Sequence, residues 1–257
     1  ASEKPCRVNP GLMSSWLKTV QKADCRPHGN PWNFVAPSGR IAQNGPRRLI
    51  LPTMDSVTIL IPAAGASLRM RGGDKLTEVV DGEPLLRRAA RMAISTGARV
   101  IVTLPAGGPH GGPRKRELVG LDVTIAELPD AHEGMAASLR HGAKAAKMSA
   151  GMMVYLPDMP DVTAEDLMLL IAAFLAEPNA ALRAATEDGL PGHPVMFPRR
   201  LFGELGILGG DEGARHVLAD EEVSLLPLPG NRAITELDTP EDWAEWRAAH
   251  TRGHSAP

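Results

Sequence analysis

Cysteine is nearly absent from this chain of 257 residues. The only two, Cys6 and Cys25, lie near the start, so the main body has no disulfide framework and no thiol for catalysis or metal binding. Long hydrophobic runs are also absent. No apolar stretch approaches the roughly 20 residues that span a bilayer, and no secretory segment with a hydrophobic centre opens the chain. We therefore expect a cytoplasmic protein with no membrane partner.

Several kinds of site lack their sequence patterns. The eight histidines show no His-x-His or His-Glu-x-x-His spacing, so a zinc site is not expected. Ser67 has no Gly-x-Ser-x-Gly context, which leaves serine hydrolase chemistry without support. The first apolar strand is followed neither by the Walker A spacing nor by the dinucleotide fingerprint Gly-x-Gly-x-x-Gly.

Charge is divided unevenly along the chain. Residues 1–53 carry eight Lys and Arg against two Asp and Glu, a formal +6, whereas the remainder carries twenty against twenty-eight, a formal −8. An acidic body argues against nucleic acid as a partner, since that binding depends on a basic face. Local cations, helix ends and metal must therefore hold any anionic substrate.

Residues 1–53 also differ in composition. They contain seven prolines and four glycines and show no sustained helical or alternating period. We expect them to be a disordered leader or an over-extended gene start, although a basic docking arm is an alternative. The folded domain is expected over residues 54–250, starting at Met54, with a flexible tail over residues 251–257.

The central stretch of the sequence is a strand followed by a Gly-rich loop. Residues 57–61 form a short apolar run typical of a buried strand, which ends at Pro62. The small residues that follow let the backbone approach a ligand, and their N–H groups can point at an anion. Arg69 and Lys75 add positive charge. The stretch predicts a polyphosphate-binding loop, and the alternative is a surface turn rich in Gly and Arg.

Strand and helix patterns alternate through the body. The order of strand 57–61, helix 83–96 and strand 99–104 predicts an α/β fold with parallel strands and right-handed crossovers. Residues 105–113 are expected to form a loop, followed by a short basic helix over residues 114–118. Further strands are predicted at residues 122–127, 152–156, 181–186, 194–197, 222–227 and 232–237. Further helices are predicted at residues 134–148, from Thr163, at residues 213–219 and from Thr239.

A second informative site is Pro157-Asp158-Met159-Pro160, at the end of the strand predicted over residues 152–156. Ligands of open α/β sheets bind outside the carboxyl ends of the strands. A carboxylate there suits Mg²⁺, which takes one or two protein carboxylates and completes its shell with phosphates and water. The alternative is an aspartate that only initiates a turn beside proline.

The segment Ala64-Gly65-Ala66-Ser67-Leu68-Arg69-Met70 resembles the signature Ala-Gly-x-Ser-x-Arg-Met-Gly-x-x-Lys of nucleotidyltransferases of the molybdenum-cofactor type. The chain departs from it at Arg71, which precedes Gly72 and moves Lys75 one residue later. Pro157–Pro160 is similar to the element whose aspartate holds magnesium in that family. The resemblance extends from residue 57 to about residue 246, with five motifs in the family's order.

The other motifs carry weaker expectations. By resemblance His193, in a Gly-His-Pro segment, and Asp211, in Gly-Asp-x-Gly-Ala-Arg, lie by the acceptor. Their alternatives are a structural histidine and a helix cap. By the same resemblance Asp238, in Asp-Thr-Pro-Glu-Asp, is expected to be a second magnesium ligand, and the alternative is a cap of the last helix. Gly134 and Ser138 would lie against the nucleotide base, or merely start a helix.

The resemblance implies a three-layer Rossmann-like nucleotidyltransferase fold with a mostly parallel mixed sheet, and Mg²⁺ as cofactor. Arg69, Lys75 and Asp158 would be catalytic, with Asp158 and Asp238 as metal ligands. The triphosphate would lie on the segment formed by Ala63, Ala64, Gly65, Ala66 and Ser67.

The start Pro62-Ala63-Ala64-Gly65 is similar to the branch that uses CTP and a molybdopterin-type acceptor, whose partner could be a molybdoenzyme or chaperone. One alternative is a nucleotidyltransferase acting on a sugar- or alcohol-phosphate. Another is a non-catalytic chaperone that binds or inserts the cofactor.

Overall fold

A computed structural model describes residues 56–210 and 213–253 of the protein. Its centre is a seven-stranded mixed sheet with the order β5-β4-β1-β6-β8-β7-β9, flanked by helices in a three-layer α/β arrangement. A two-stranded ribbon, β2-β3, lies apart from it. The seven strands of the main sheet are β1 (Val57–Pro62), β4 (Arg99–Pro105), β5 (Thr124–Leu128), β6 (Gly151–Val154), β7 (Ala181–Ala185), β8 (Pro191–Pro198) and β9 (Val223–Pro227). The ribbon strands are β2 (Val79–Val80) and β3 (Glu83–Pro84).

The helices of the described residues lie between these strands or, for the last one, after them. They are α1 (Leu85–Ser95), α2 (Gly108–Glu117), α3 (Met135–Ala145), α4 (Ala164–Ala176), α5 (Phe202–Leu205), α6 (Arg215–Ala219) and α7 (Pro240–Gly253). Short 3₁₀ turns occur at Leu68–Met70, Lys75–Thr77, Ala131–Glu133 and Arg199–Leu201. No helix of the described residues is long and apolar enough to cross a membrane.

Strand direction determines which side chains can meet. The pairs β1-β4, β1-β6, β4-β5 and β7-β9 are parallel, whereas β8 runs antiparallel to both β6 and β7. The carboxyl ends of β1, β4, β6 and β7 therefore lie at one edge of the sheet, together with the start of β8. Loops from these ends, as in other open α/β sheets, are the place for a ligand site.

Burial explains why these segments form the core. Apart from its last residue, β1 is buried throughout, which matches its uninterrupted apolar run. Helix α4 begins at a capping box, in which Thr163 Oγ1 accepts from the Asp166 N–H and the Asp166 carboxylate accepts from the Thr163 N–H. Most predicted elements are confirmed within a few residues of their expected ends.

Two predicted segments are wrong. Residues 108–113, expected as loop, begin helix α2, whose glycines allow close packing: a Cβ at Gly111 would lie 2.6 Å from the Pro105 carbonyl oxygen. Residues 232–237, expected as strand, instead turn at Asn231, whose carbonyl accepts from Ile234 and Thr235. This segment then crosses the end of the sheet.

Candidate active site

A cavity of about 380 Å³ opens at the carboxyl edge of the sheet. It is enclosed by the loop after β1, the start of α3, the segment after β6 and the crossing segment before α7. Its lining includes most of the predicted site residues, namely Ala64, Gly65, Ala66, Ser67, Arg69, Lys75, Gly134, Ser138, Asp158 and Asp238. Arg69 and Asp158 thus lie in one crevice.

Lys75 links two carboxylates in this cavity. Its ammonium group contacts Asp158 Oδ2 and lies 2.5 Å from Asp238 Oδ1, while Arg69 Nη1 contacts the other oxygen of Asp238. Asp238 is held there because the Leu237 N–H donates to the Asp158 carbonyl across 3.0 Å. Two cations of the loop and two acidic residues from distant parts of the sequence therefore form one cluster.

The charges in this cluster stabilise one another. Burial of Lys75 lowers its pKa, but the charge of Asp158 and the contacts with both aspartates outweigh this, so that the pKa lies above its ordinary value. Lys75 therefore stays protonated at neutral pH. The side chain of Asp158 is more deeply buried than that of Asp238. The Oδ1 atom of Asp158 has no hydrogen-bond partner among the described residues. A buried, unpaired carboxylate oxygen is costly unless a cation or water satisfies it.

Glu236 is a third acidic group at the cavity, and the sequence analysis did not identify it. Partial desolvation, together with the charges of Asp158 and Asp238, raises its pKa. Its side chain reaches the cavity because residues 232–237 cross the sheet end instead of pairing as a strand. No motif in the sequence marked it.

These carboxylates fit a magnesium ion that is shared with substrate. Among the described residues, no group of three or more His, Cys, Asp or Glu side chains is arranged to hold a metal. Asp158 and Asp238 nevertheless converge on one cation, the Lys75 ammonium, and Asp158 has an unsatisfied oxygen. Mg²⁺ is commonly bound by one or two carboxylates plus substrate phosphates. The donor set suits this mode rather than a closed protein site.

The turn between Ser67 and Asp74 accommodates the residue, Arg71, by which this chain exceeds the signature before Lys75. Ser67 and Arg71 have φ values of 48° and 51°, and Gly72 has φ 98°. These left-handed conformations tighten the turn, and Asp74 then caps the next 3₁₀ turn by accepting from the Leu76 N–H across 3.2 Å. Lys75 therefore reaches both aspartates despite its shifted position in the sequence.

Arg114, on helix α2, is the main residue that sequence reasoning missed. Its side chain is only 1% exposed and contacts Asp74, Ser67 and the carbonyl oxygens of Ala63 and Gly65. Ala63 itself is buried and does not line the cavity. The only available signal is the Gly-rich run before Arg114, whose composition predicts a loop, whereas the structure has a closely packed helix there.

The start of α3 forms another wall. Gly134 has φ 67° and ψ −136°, a conformation that strongly favours glycine, and it directly precedes the helix. The helix N-terminus at the cavity favours negative charge. Ser138 also lines the cavity, but its hydroxyl is hydrogen-bonded to the Thr103 hydroxyl at 2.9 Å.

Two predicted acceptor residues have different outcomes. His193, at the start of β8, does not line the cavity, although its N–H donates to Ala233 in the crossing segment. Burial, with the charge of Arg183, lowers its pKa to about 4, so the ring is neutral at pH 7. Asp211 lies outside the described residues.

The sequence profile of the MobA-like NTP transferase domain matches residues 59–225, from β1 into β9. No curated protein matches the chain at a significant level.

Several solved structures share the fold. Rv0371c from Mycobacterium tuberculosis H37Rv is 26% identical, with a TM-score of 0.63 over 76% of this chain and 98% of that chain. A structure of Rv0371C in complex with manganese is 27% identical, with a TM-score of 0.57 over 74% and 96%. Mth528, a nucleotidyl transferase from Methanothermobacter thermautotroptrophicus, is 19% identical, with a TM-score of 0.61 over 77% and 98%.

Proposed function

The chain belongs to the MobA-like NTP transferase domain family and is a nucleotidyltransferase, and on that premise we propose that it transfers CMP from CTP to the terminal phosphate of a molybdopterin-type cofactor. An acceptor phosphate oxygen forms a new bond to the α-phosphorus of CTP. The bond from that phosphorus to the bridging oxygen breaks, and pyrophosphate leaves. The observation that carries the proposal is the Lys75, Asp158 and Asp238 cluster in the cavity of the loop.

The chain's own residues supply positioning and charge. The acceptor phosphate is already ionised, so no strong base is needed, and the main task is to hold two anions together. Lys75 and Arg69 provide fixed positive charge, and backbone N–H groups of residues 64–67 and of the start of α3 would hold the polyphosphate. Mutual repulsion of the two anions would otherwise keep the reacting atoms apart.

Asp158 and Asp238 would hold magnesium. A bound divalent ion supplies charge neutralisation at the α-phosphate. The manganese complex of the related Rv0371C supports the use of a divalent ion by this fold. The unpaired Oδ1 of Asp158 supports its assignment as a ligand in this chain.

The choice of CTP rests on the sequence Pro62-Ala63-Ala64-Gly65, which is similar to the cytidylyltransferase branch. The acceptor rests on the same resemblance. A molybdoenzyme or its chaperone would receive the product. His193 is neutral and lies outside the cavity lining, so we assign it no charge-pairing role with an acceptor phosphate.

The test is pyrophosphate release by the full chain, measured with each of the four ribonucleoside triphosphates, with Mg²⁺ or Mn²⁺, and with isolated molybdenum cofactor. We expect release only when CTP, divalent metal and cofactor are all present. Release with another triphosphate would overturn the CTP assignment. A simple sugar- or alcohol-phosphate that replaced the cofactor would overturn the acceptor assignment. Tight cofactor binding without any release would identify a chaperone instead.

A further inference from the structure

We propose that Arg114 is a positioning residue that sets the shape of the phosphate loop and the place of Lys75, without contacting the nucleotide. The kinetic part of this inference rests on the proposed function, whereas its structural part does not. No motif of the sequence assigns Arg114 a role, and it lies on a helix some forty residues after the loop.

All five N–H donors of the Arg114 guanidinium are used within the protein. Nε and Nη2 donate to the two oxygens of Asp74, each across 2.8 Å, and Nη2 also donates to Ser67 Oγ across 2.9 Å. Nη1 donates to the carbonyl oxygens of Ala63 at 2.8 Å and Gly65 at 2.6 Å. Arg114 is among the residues that line the cavity, but an arginine has five such donors, so none remains for a substrate.

The two carbonyl contacts determine where the loop's amide groups point. In a trans peptide the N–H points opposite to the carbonyl of the preceding residue. Since the carbonyls of Ala63 and Gly65 face the guanidinium, the N–H groups of Ala64 and Ala66 point away from it. Both alanines line the cavity. Arg114 thereby turns alternate amides of the loop into donors for an anion.

The contact with Asp74 fixes the other end of the loop. Burial raises the pKa of Asp74, but hydrogen bonding and charge from Arg114 outweigh this and hold the pKa below its usual value. The ionised Asp74 also accepts from Ser67 Oγ at 3.1 Å and from the Leu76 N–H. Because Lys75 directly follows Asp74, the position of its ammonium depends on this pair.

A lysine cannot replace this arrangement. Its ammonium is a point charge with three donors, whereas the planar guanidinium spans acceptors on both arms of the loop. Close packing of α2 brings the side chain into place, since Gly111 contacts the end of β4 where any Cβ would collide with Pro105. Arg116, two residues later on α2, is exposed and serves as a matched control.

The test compares Arg114→Lys with Arg116→Lys in the full chain. Amide hydrogen exchange of the peptide spanning residues 62–78, measured without nucleotide, should become at least about tenfold faster in Arg114→Lys, with β4 unchanged. In the pyrophosphate assay kcat should fall about 100-fold at saturating CTP, because small misplacement of reacting groups has effects of that size. Arg116→Lys should match the wild type in both measurements.

Wild-type exchange and wild-type kcat in Arg114→Lys would overturn the inference. A loss of activity explained by a melting midpoint below the assay temperature, with normal loop exchange in the folded protein, would overturn it too. Should Arg114→Lys fail to fold, Asp74→Asn, which keeps the side-chain shape, must speed exchange of the same peptide. If the wild type releases no pyrophosphate with any substrate, the proposed function fails, and the exchange measurement still decides the role of Arg114.

Discussion

The ammonium group of Lys75 contacts Asp158 Oδ2, while Asp158 Oδ1 has no partner among the described residues. These two residues lie 83 positions apart in the sequence and come together at the ends of β1 and β6, which are neighbours in the sheet. One carboxylate thus already neutralises a loop cation and retains an oxygen for a further cation.

Replacing Asp158 with asparagine should abolish turnover and leave the fold intact. The variant keeps the shape of the side chain but loses its charge, and loss of one preorganised electrostatic group costs about 100-fold or more in rate. Stability should change little, since the lost contact with Lys75 is offset by less repulsion from Asp238. Pyrophosphate release and a thermal melt measure both effects, with the exposed Asp122→Asn as control. Release within tenfold of the wild type would contradict the assignment.

Lys75→Ala should reduce kcat by about 30- to 1,000-fold, the equivalent of roughly 2–4 kcal/mol of transition-state stabilisation. The reason is that the buried ammonium group faces the place of the polyphosphate and is not replaceable by solvent. Lys115→Ala removes an exposed lysine that pairs with Glu127 on the surface, and should leave kcat unchanged. A loss below tenfold in Lys75→Ala would mean that this lysine does not reach the substrate.

His193 should make the free energy of unfolding depend on pH. Its folded pKa of about 4 lies below the ordinary value of 6.5, so its contribution is fully present above pH 6.5 and is lost as pH falls through about 4. Between pH 7.5 and pH 5 the histidine binds a proton in the unfolded state but not in the folded state. The free energy of unfolding therefore falls by about 2 kcal/mol.

Urea denaturation at both pH values measures this loss. His193→Asn should be less sensitive to the change by about that amount, because the other histidines contribute equally to both chains. An identical pH dependence in the wild type and in the variant would show that His193 titrates normally in the folded protein.

Gly192→Ala should destabilise the protein by about 1–3 kcal/mol, the usual cost of overpacking, and should also lower activity. A Cβ at this position would lie 1.8 Å from the Ala233 carbonyl oxygen, so the crossing segment must move, and this segment leads to Glu236 and Asp238. Gly203→Ala is the control, since nothing lies within 4 Å of its Cβ position. Equal stability of the two variants would contradict the prediction.

Local patterns predicted the parts of the fold that depend on local chemistry. The uninterrupted apolar run of β1 and the capping box of α4 depend on near neighbours, and both are confirmed. Helix α2 escaped prediction because its glycines have low helix propensity and are favoured there by tertiary packing against β4. Its buried Arg114 could not be identified, because nothing near it in sequence shows what it contacts.

The site shows the same division. The signature marked Arg69 and Lys75, and the Pro157–Pro160 element marked Asp158; all three lie in one crevice, since strand ends of a parallel sheet share an edge. Glu236 could not be predicted, because its place depends on a segment that has the pattern of a strand but is not a strand of the sheet. His193 shows the converse: a motif marks the residue, and the structure places its buried ring outside the lining of this cavity, so its role by the acceptor stays a prediction.

The turn between Ser67 and Asp74 has a consequence for how such loops can vary. Arg114 contacts both of these residues, so an additional residue between Arg69, whose guanidinium contacts Asp238, and Asp74 is accommodated within the turn. The position of Lys75 is therefore determined by Asp74, which directly precedes it and the second 3₁₀ turn, and not by its distance in the sequence from Gly65. Chains with one residue more or fewer in this turn can therefore present the same ammonium to the same pair of aspartates.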